Sequence, residues 1–451
     1  MSAPAPAARR VNVRTPEVME RVQAQVETHY RSQIVEQIRA RGSEITVGNT
    51  TIRLARDFGF CYGVERAIDL AYAARKVFAD KRVFLLGEII HNQEVNRQLT
   101  EMGIVSIPVG KHEEEVSKLT NEDVVIVPAF GAETNLMKLI SSRGCMIVDT
   151  TCGDVMSVWK RVRQYAKTSF TSIIHGKAEH EETRATSSRA VGDNGDGHFL
   201  VVLTLADVDY VCDYIRKGGD KEAFLKRFPK ESHSVGFDPD QHLIRVGVAN
   251  QTTMLKSETE EIQRRLKQAI LDRDGPDAEK QNFQVFDTIC GATQERQDSL
   301  FGLLKHPLDV LLVVGGYNSS NTTHLVEIGE QQLPTFFIRT ADCLKSLEQI
   351  VHFDLHLKAE KESYSTKLAG GGPVTLGITA GASCPNPWRG LTSKPAGSWC
   401  AAWRVPRWWP IRAMYGAPAT DPGGRCSGGS TNCKARSPGG RCWSSTTIES
   451  G

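Results

Sequence analysis

One arrangement occurs three times along the 451-residue chain: an apolar strand, a cysteine at its end, and then an amphipathic helix. The strands are found in TIRLARDFGFC, CMIVDTTC and NFQVFDTIC, which end at Cys61, Cys152 and Cys290. Apolar residues spaced three and four apart follow each cysteine, as the buried face of a helix requires. The residues predicted to be buried are Val64, Ala67, Ile68 and Ala71 in the first helix, Val155, Val158, Trp159 and Val162 in the second, and Leu300, Leu303 and Leu304 in the third.

Three such units predict an α/β fold of three α/β domains around a pseudo-threefold axis, each contributing one thiolate to the centre. A helix start carries partial positive charge and free N–H groups, so we expect it to favour the thiolate over the thiol. Three convergent thiolates would form a metal site with an open position. A lone cysteine at a strand end is more often a small buried hydrophobe, and we interpret the unrepeated ones in this way: Cys145, Cys212, Cys343 and Cys384.

Apolar strands alternate with helices through the rest of the chain, as expected for α/β layers. Examples are VFLLGEII, VVIVPAF, FTSIIHG, HFLVVLTL, LIRVGVAN, DVLLVVGG, TFFIRT and VTLGITAG, which end in small or polar residues. In such sheets, ligands bind at the carboxyl ends of the strands. The predicted organisation is an N-terminal extension (1–50, a disordered leader plus a helix), three α/β domains (51–145, 146–283 and 284–384) and a tail (385–451).

Composition excludes several classes of protein. A net charge of +2 argues against a nucleic-acid surface. No run approaches the roughly 18 apolar residues of a membrane helix, and the start MSAPAPAARRVNVR lacks the apolar core of a secretion signal. We therefore expect a cytoplasmic protein, with a plastid location as the alternative. The absence of any CxxC pair argues against a zinc ribbon or a thioredoxin-type redox pair.

The segment from Pro385 onward has a different composition from the rest. It holds six of the seven tryptophans, and nine Lys or Arg residues against two acids. It shows neither helical nor strand periodicity. We interpret it as an aberrant, disordered tail of the kind that GC-rich DNA produces when it is translated in the wrong frame. The alternative is a genuine basic tail.

Eight motifs carry a resemblance to a known family. They are GFCYGVERA, EIIHN, DTTCGDVMSVW, IHGKAEHEET, ANQTTMLKSETEEI, FDTICGATQERQD, VVGGYNSSNTTHL and GITAGAS, in that order. From about Ser32 to Ser383 the chain resembles the 4-hydroxy-3-methylbut-2-enyl diphosphate reductases, and their cyanobacterial and plant branch in particular. The resemblance implies an iron–sulfur oxidoreductase that removes the substrate's hydroxyl to give isopentenyl and dimethylallyl diphosphate, the last step of the methylerythritol phosphate route to isoprenoids.

The resemblance also implies the cofactor and the partners. In the family, one 4Fe-4S cluster is held by three cysteines, which match Cys61, Cys152 and Cys290, and its fourth iron stays open for the substrate. An open iron is a Lewis acid as well as an electron donor. The implied partners are the allylic diphosphate substrate and an electron donor, ferredoxin or flavodoxin. No nucleic-acid or membrane partner is expected.

Motif matches assign the remaining site residues. Those expected to bind the diphosphate are His91, His180, Ser319, Ser320, Asn321 and Ser383. Glu182 matches the family's acid and Thr252 the hydroxyl that helps to place the substrate's alcohol, so both are assigned to catalysis. A buried carboxyl beside an anionic ligand should have a raised pKa, which suits a proton donor. Without the resemblance, NSSN would be interpreted as a turn or helix cap and His91 as a polar residue at a loop rim, and His175 stays ambiguous.

Two departures from the family matter. Phe130 stands where many bacterial members have histidine, and Gly153 and Gly291 stand where the family often has Pro and Asp, which would loosen the helix starts. The tail replaces the family's closing helix, so one alternative is a cluster-binding protein with impaired catalysis. Another is a different three-cysteine cluster enzyme, such as a quinolinate-synthase-like dehydratase, which would need no external reductant.

Overall fold

The computed structural model describes residues 9–286, 288–346, 349–365 and 371–385. In these ranges the chain folds into α-helices and three β-sheets. The predicted tail lies outside the described residues from position 386 onward. The disordered leader likewise lies largely outside them, since the description begins at Arg9.

The first sheet has five described strands, all parallel to their neighbours. In spatial order they are β1 (Arg9–Arg10), β7 (Met146–Asp149), β6 (Val124–Val127), β4 (Val83–Leu86) and β5 (Ile104–Ile107). Strand β6 is buried along its whole length, which explains its unbroken apolar run VVIV.

The second sheet is also parallel throughout the described residues. Its order is β11 (Phe283–Val285), β10 (Val246–Asn250), β8 (Thr171–His175) and β9 (Phe199–Val202). The three longer strands are completely buried, as expected for a parallel sheet with helices on both faces.

The third sheet is mixed. Its described strands are, in order, β15 (Ala359–Tyr364), β14 (Gln349–Asp354), β13 (Thr335–Ile338), β12 (Val310–Val314), β16 (Val374–Ala380), β3 (Thr50–Leu54) and β2 (Glu44–Val47). The four central strands are parallel. At one edge β2 pairs antiparallel with β3, and at the other β14 pairs antiparallel with both β13 and β15. All eight apolar runs predicted as strands form strands, which confirms the α/β class.

The described α-helices connect these strands. They are α1 (Pro16–Tyr30), α2 (Gln33–Ala40), α3 (Tyr62–Val77), α4 (Gln93–Glu101), α5 (His112–Ser117), α6 (Thr134–Ser142), α7 (Gly153–Lys167), α8 (Glu181–Ala190), α9 (Leu205–Lys217), α10 (Lys221–Arg227), α11 (Pro239–His242), α12 (Lys256–Asp274), α13 (Glu279–Asn282), α14 (Gly291–Leu304) and α15 (Ser320–Glu330). In the N-terminal extension, α1 packs on the core of the first sheet and α2 on that of the third.

The chain passes from one sheet to another at each cysteine of the repeated unit. Cys61 follows β3 of the third sheet, but α3 packs in the core of the first sheet. Cys152 follows β7 of the first sheet, and α7 packs in the core of the second. Cys290 follows β11 of the second sheet, and α14 packs in the core of the third. The three cysteines therefore lie where the sheets adjoin.

The predicted domain boundaries stay a prediction, but strand pairing crosses each of them. Strand β3 falls within the predicted first domain and yet pairs with β16 of the third sheet. Strand β7 begins the predicted second domain but pairs in the first sheet. Strand β11 spans the predicted boundary between residues 283 and 284, and it pairs in the second sheet. Local periodicity identifies a strand, whereas its pairing partner is set by contacts with residues far away in the chain.

Candidate functional site: three cysteines and a polar pocket

The three cysteines occupy equivalent positions. Cys61, Cys152 and Cys290 each cap the N-terminus of a helix with extended backbone. Together they line a cavity of about 700 Å³. Among the described residues, no fourth cysteine lines this cavity. Three convergent thiols with no fourth are a donor set that suits an iron–sulfur cluster with one iron free of protein ligands.

A glycine permits the close approach of two thiols. A Cβ atom on Gly63 would lie 2.6 Å from Sγ of Cys152 and 3.9 Å from Sγ of Cys61. The first distance is shorter than any ordinary contact, so a side chain at position 63 would displace the Cys152 thiol. Gly153 and Gly291 begin regular helices, and a Cβ atom on either of them would have nothing within 4 Å.

The ionisation of the thiols differs from the sequence-based expectation. Burial is the largest influence on Cys61, Cys152 and Cys290, and it raises the pKa of all three thiols. Backbone N–H groups at the helix starts lower these pKa values, but by less. The prediction that the helix starts favour the thiolate is therefore wrong for the chain alone. A bound cation deprotonates its thiol ligands and would reverse the balance.

A second cavity, of about 110 Å³, is lined by all eleven residues assigned from the sequence. The set consists of Cys61, Cys152, Cys290, His91, His180, Glu182, Thr252, Ser319, Ser320, Asn321 and Ser383. They come from loops of all three sheets, at the carboxyl ends of strands such as β4, β8, β10 and β12. The structure thus brings the whole predicted set together, while the role of each residue stays a prediction.

Glu182 and Thr252 form a buried pair in this cavity. Thr252 donates its backbone N–H to Oε1 of Glu182 at 2.6 Å, and its hydroxyl lies 3.0 Å from Oε2. Burial raises the pKa of Glu182 to about 7, more than these hydrogen bonds lower it. A carboxyl with this pKa can carry a proton at neutral pH and release it, as a general acid must.

Two histidines and Phe130 form one wall of the cavity. The rings of His91 and Phe130 are stacked, with centroids 4.7 Å apart and planes 17° from parallel. Nε2 of His91 lies 3.2 Å from Nε2 of His180 and 3.7 Å from a carboxylate oxygen of Glu181. Phe130 therefore supports one face of the His91 ring.

The ligand atoms of His91, His180 and Glu181 lie within 4.8 Å of one another, close enough to hold a metal ion. The hydrogen bond to His180 argues for another role. The backbone N–H of Glu182 donates to Nδ1 of His180 at 3.1 Å, which leaves the proton of the neutral ring on Nε2. Burial lowers the pKa of His180 to about 3, so the ring is neutral at pH 7. Nε2 is then a donor, suited to an anion and not to a metal.

Hydroxyl and amide groups line the opposite wall. Ser319 caps α15 by accepting from the backbone N–H of Thr322, so the interpretation of NSSN as a helix cap is also correct. Ser383 lies 3.4 Å from the hydroxyl of Ser319. Both polar atoms of the Asn321 amide are buried without a hydrogen-bond partner among the described residues. Buried polar groups are normally paired, so an unpaired amide in a cavity indicates a polar ligand.

Comparisons with known proteins agree with this geometry. The profile described as "LytB protein" matches residues 52–389.

The chain belongs to the LytB family.

Membership confirms the family predicted from the eight motifs and the class of iron–sulfur oxidoreductase. The LytB-family chain is 49% identical over 368 residues to 4-hydroxy-3-methylbut-2-enyl diphosphate reductase of Thermosynechococcus vestitus. The aligned region covers 81% of this chain and 89% of the relative. It is 48% identical over 370 residues to the enzyme of the same name from Gloeobacter violaceus, covering 81% and 87%. Both relatives are cyanobacterial, as the motifs indicated.

A solved structure has the same fold. The E-1-hydroxy-2-methyl-but-2-enyl-4-diphosphate reductase from Plasmodium falciparum superposes with a TM-score of 0.54 at 21% identity, covering 76% of this chain and 86% of that one. At this identity the likeness supports the fold alone.

Some side chains of this LytB-family protein were misjudged or missed from the sequence. His175, left ambiguous, is fully buried outside the cavity, and its Nδ1 lies 2.8 Å from the hydroxyl of Thr259. Glu181, which received no assignment, has a carboxylate oxygen 3.7 Å from Nε2 of His91. Asp154 lines both cavities but was not assigned, although it lies two residues after Cys152. None of the helices in the described part of the chain has the length and apolar content to cross a membrane.

Proposed function

We propose that this protein reduces 4-hydroxy-3-methylbut-2-enyl diphosphate to isopentenyl and dimethylallyl diphosphate, the last step of the methylerythritol phosphate pathway. The observation that carries the proposal is a buried carboxyl, Glu182, in the same cavity as three convergent thiols. A proton donor beside an electron-donating centre is what reductive removal of a hydroxyl requires. Relatives with about half of their residues identical bear this enzyme's name.

The cofactor in this proposal is one 4Fe-4S cluster held by Cys61, Cys152 and Cys290, with one iron open. The three thiols adjoin both cavities, and Gly63 leaves the space that their approach requires. When bound, the cluster supplies electrons and, through its open iron, a Lewis acid for the substrate's hydroxyl oxygen.

The diphosphate would be held by the polar walls of the cavity. Its negative charge needs several convergent donors. His180 provides Nε2–H, the start of α15 provides Ser320 and the unpaired amide of Asn321, and Ser319 and Ser383 add hydroxyl groups. The free backbone N–H groups at a helix N-terminus favour an anion in the same place.

The proton would come from Glu182. The substrate's C–O bond breaks, two electrons enter the allyl group, and the hydroxyl leaves as water after accepting a proton. Glu182 can deliver this proton through the Thr252 hydroxyl, which lies 3.0 Å from Oε2. A second proton is added to carbon, at either end of the allyl group, which gives the two products. Apolar residues of the cavity, Ile90, Val64 and Val155, would shield the allyl group from water.

The electrons must come from a partner, since the reaction consumes two of them. We propose ferredoxin or flavodoxin as the donor, in the cytoplasm. The cavity at the three cysteines is lined by four arginines and three acids: Arg39, Arg56, Arg66 and Arg296 against Asp57, Asp154 and Glu295. The small excess of positive charge suits an acidic protein.

Anaerobic turnover tests the proposal. The full chain is reconstituted with iron and sulfide, and oxidation of a reduced viologen dye is followed after addition of 4-hydroxy-3-methylbut-2-enyl diphosphate. Substrate-dependent oxidation with formation of both products would establish the reductase. A bound cluster without dye oxidation would favour the impaired cluster-binding protein, and consumption of a substrate without any reductant would favour a dehydratase.

A further inference from the structure

Glu88 makes a contact that neither the motifs nor the proposed mechanism explains. It follows β4 of the first sheet, and its Oε2 lies 2.9 Å from Nδ1 of His91. The same oxygen accepts from Nδ2 of Asn318 at 2.9 Å. Asn318 follows β12 of the third sheet, 230 residues further along the chain. One carboxylate oxygen therefore connects a diphosphate-binding histidine with the loop that begins α15.

The protonation of His91 follows from its neighbours. In the free protein Nε2 of His180 carries the proton, as the bond from the Glu182 backbone requires. Nε2 of His91, 3.2 Å away, then accepts a hydrogen bond from Nε2–H of His180. The proton of neutral His91 therefore lies on Nδ1, where the carboxylate of Glu88 accepts it. Nδ2 of Asn318 lies 3.3 Å from Nδ1 of His91 as well, and with the proton on Nδ1 both nitrogens donate to the Glu88 carboxylate.

The position of the His91 ring is fixed on its other sides as well. Phe130 covers one face of the ring. The His91 carbonyl packs so closely on the third-sheet loop that a Cβ atom on Gly316 would lie 2.2 Å from it. His91 thus has little freedom to turn, and Nε2 is the nitrogen directed at the cavity.

Binding of a diphosphate changes what is required of His91. To donate to the anion, Nε2 must acquire a proton while Nδ1 keeps its own, so the ring becomes a cation. The charged or titratable groups facing the ring are Glu88 on its own loop and His180, Glu181 and Glu182 at the start of α8. Glu88 alone among them bonds Nδ1, and a carboxylate at this position stabilises the doubly protonated ring.

We propose that Glu88 is a positioning residue for diphosphate recognition: its carboxylate holds Nδ1–H of His91, so that Nε2 gains the proton that the diphosphate needs, and with Asn318 it fixes this histidine to the third-sheet loop. The inference rests on the proposed function and adds a residue to the binding of its substrate. Binding then takes up a proton at His91.

The decisive variant is Glu88→Gln, which keeps a hydrogen-bond acceptor and removes the charge. In the cluster-loaded full chain, we expect KM to rise about tenfold with kcat changed by less than about twofold, because the lost interaction is made equally in ground and transition states. The control is Glu122→Gln, a carboxylate paired with Lys81 away from both cavities. It should leave both constants unchanged.

Calorimetry gives a readout that a purely structural role would not move. Inorganic diphosphate is titrated into the loaded protein at pH 8 in two buffers that differ in ionisation enthalpy. The natural chain should take up about one proton per site, and Glu88→Gln should bind about tenfold more weakly with little uptake. Equal affinity and equal proton uptake in the two proteins would overturn the proposal, as would a fall in kcat alone.

Two further results keep the test decisive. If Glu88→Gln loses its cluster, Asn318→Ala replaces it, and it should weaken diphosphate binding about threefold; unchanged binding would contradict the role. If the natural chain binds diphosphate but shows no substrate-dependent dye oxidation, the proposed function fails while the Glu88 inference is still judged by the binding data.

Discussion

Burial favours the uncharged form of the ionisable side chains at the centre of this protein. It raises the pKa of the three thiols and of Glu182, and it lowers the pKa of His180 to about 3. The cause is the same in each case, because removing a group from water penalises its charged form. In the proposed function, charge enters the site with the cluster and the diphosphate.

At the residue scale, Glu182→Gln tests the proton donor. Gln keeps the size of the side chain but cannot release a proton, so kcat should fall about 10²- to 10⁴-fold. Glu179→Gln, an exposed neighbour on the same loop, is the matched control and should keep full activity. Dye oxidation under anaerobic conditions measures both. A Glu182→Gln enzyme with normal kcat would remove Glu182 from the mechanism.

The pKa of Glu182 also predicts a pH dependence. A carboxyl whose pKa is raised to about 7 is protonated below that pH and loses its proton above it. The acid form is the one expected to be active, so kcat/KM should be highest below about pH 7 and fall at least tenfold per pH unit above it. A rate profile from pH 6 to 9 checks this. A profile that rises through pH 7 would contradict the assignment of Glu182 as the acid.

At the scale of elements, the three cysteines proposed to hold the cluster stand at the starts of three helices. Each begins directly after its cysteine, so the length of the loop and the first turn of the helix determine where the thiol lies. Only at α3 does a glycine in this turn touch another thiol: Gly63 adjoins Cys152, whereas Gly153 and Gly291 have free space around them.

This difference predicts unequal effects of two similar substitutions. Gly63→Ala should cost most of the bound iron, because the added methyl group would overlap the Cys152 thiol. Gly153→Ala adds the same methyl group at the first position of α7 into open space and should keep the iron. Iron and sulfide per chain after reconstitution measure both. Equal iron content in the two variants would show that the space at Gly63 is not needed.

At the scale of the molecule, the chain crosses from sheet to sheet at each cysteine. A group bound to all three thiols therefore connects the first, second and third sheets. A ligand that binds only the folded state stabilises it by mass action, and a metal site that forms on folding does so strongly. The cluster is thus expected to stabilise the whole molecule and not one part of it.

Removal of the cluster tests this expectation. The Tm of the iron-free chain should lie well below that of the loaded chain. After reconstitution, the Cys290→Ser variant should still have the Tm of the iron-free chain. The control is Cys145→Ser, since Sγ of Cys145 donates to the Thr120 carbonyl and a hydroxyl can do the same. This variant should keep its iron and its high Tm. Calorimetry under anaerobic conditions provides the values, and identical Tm values with and without iron would refute the role.

Much of the site could be predicted because its signals are local. After Cys61, Cys152 and Cys290, apolar residues recur every three or four positions and form the buried face of each helix. The eight motifs are contiguous segments. The structure brings all eleven assigned residues into one cavity. The tail from position 386 is a prediction that lies outside the described residues.

Other properties depend on contacts across the fold. No spacing in the sequence relates Glu88 to Asn318, whose side chains form a hydrogen bond of 2.9 Å although they are 230 residues apart. The pairing of β3 with β16 was missed for the same reason. The thiol pKa values were misjudged because a helix start is visible in the sequence, whereas the depth of burial is not.

The sequence by itself determined the strands and helices, the class of fold and the family, because periodicity and motifs are properties of neighbouring residues. The reactive side chains are a prediction from the same motifs. Only the tertiary structure decided which sheet each strand joins, which ring nitrogen of His180 carries the proton, and how far burial shifts each pKa. These depend on distances between segments that are remote along the chain, and such distances exist only once the chain has folded.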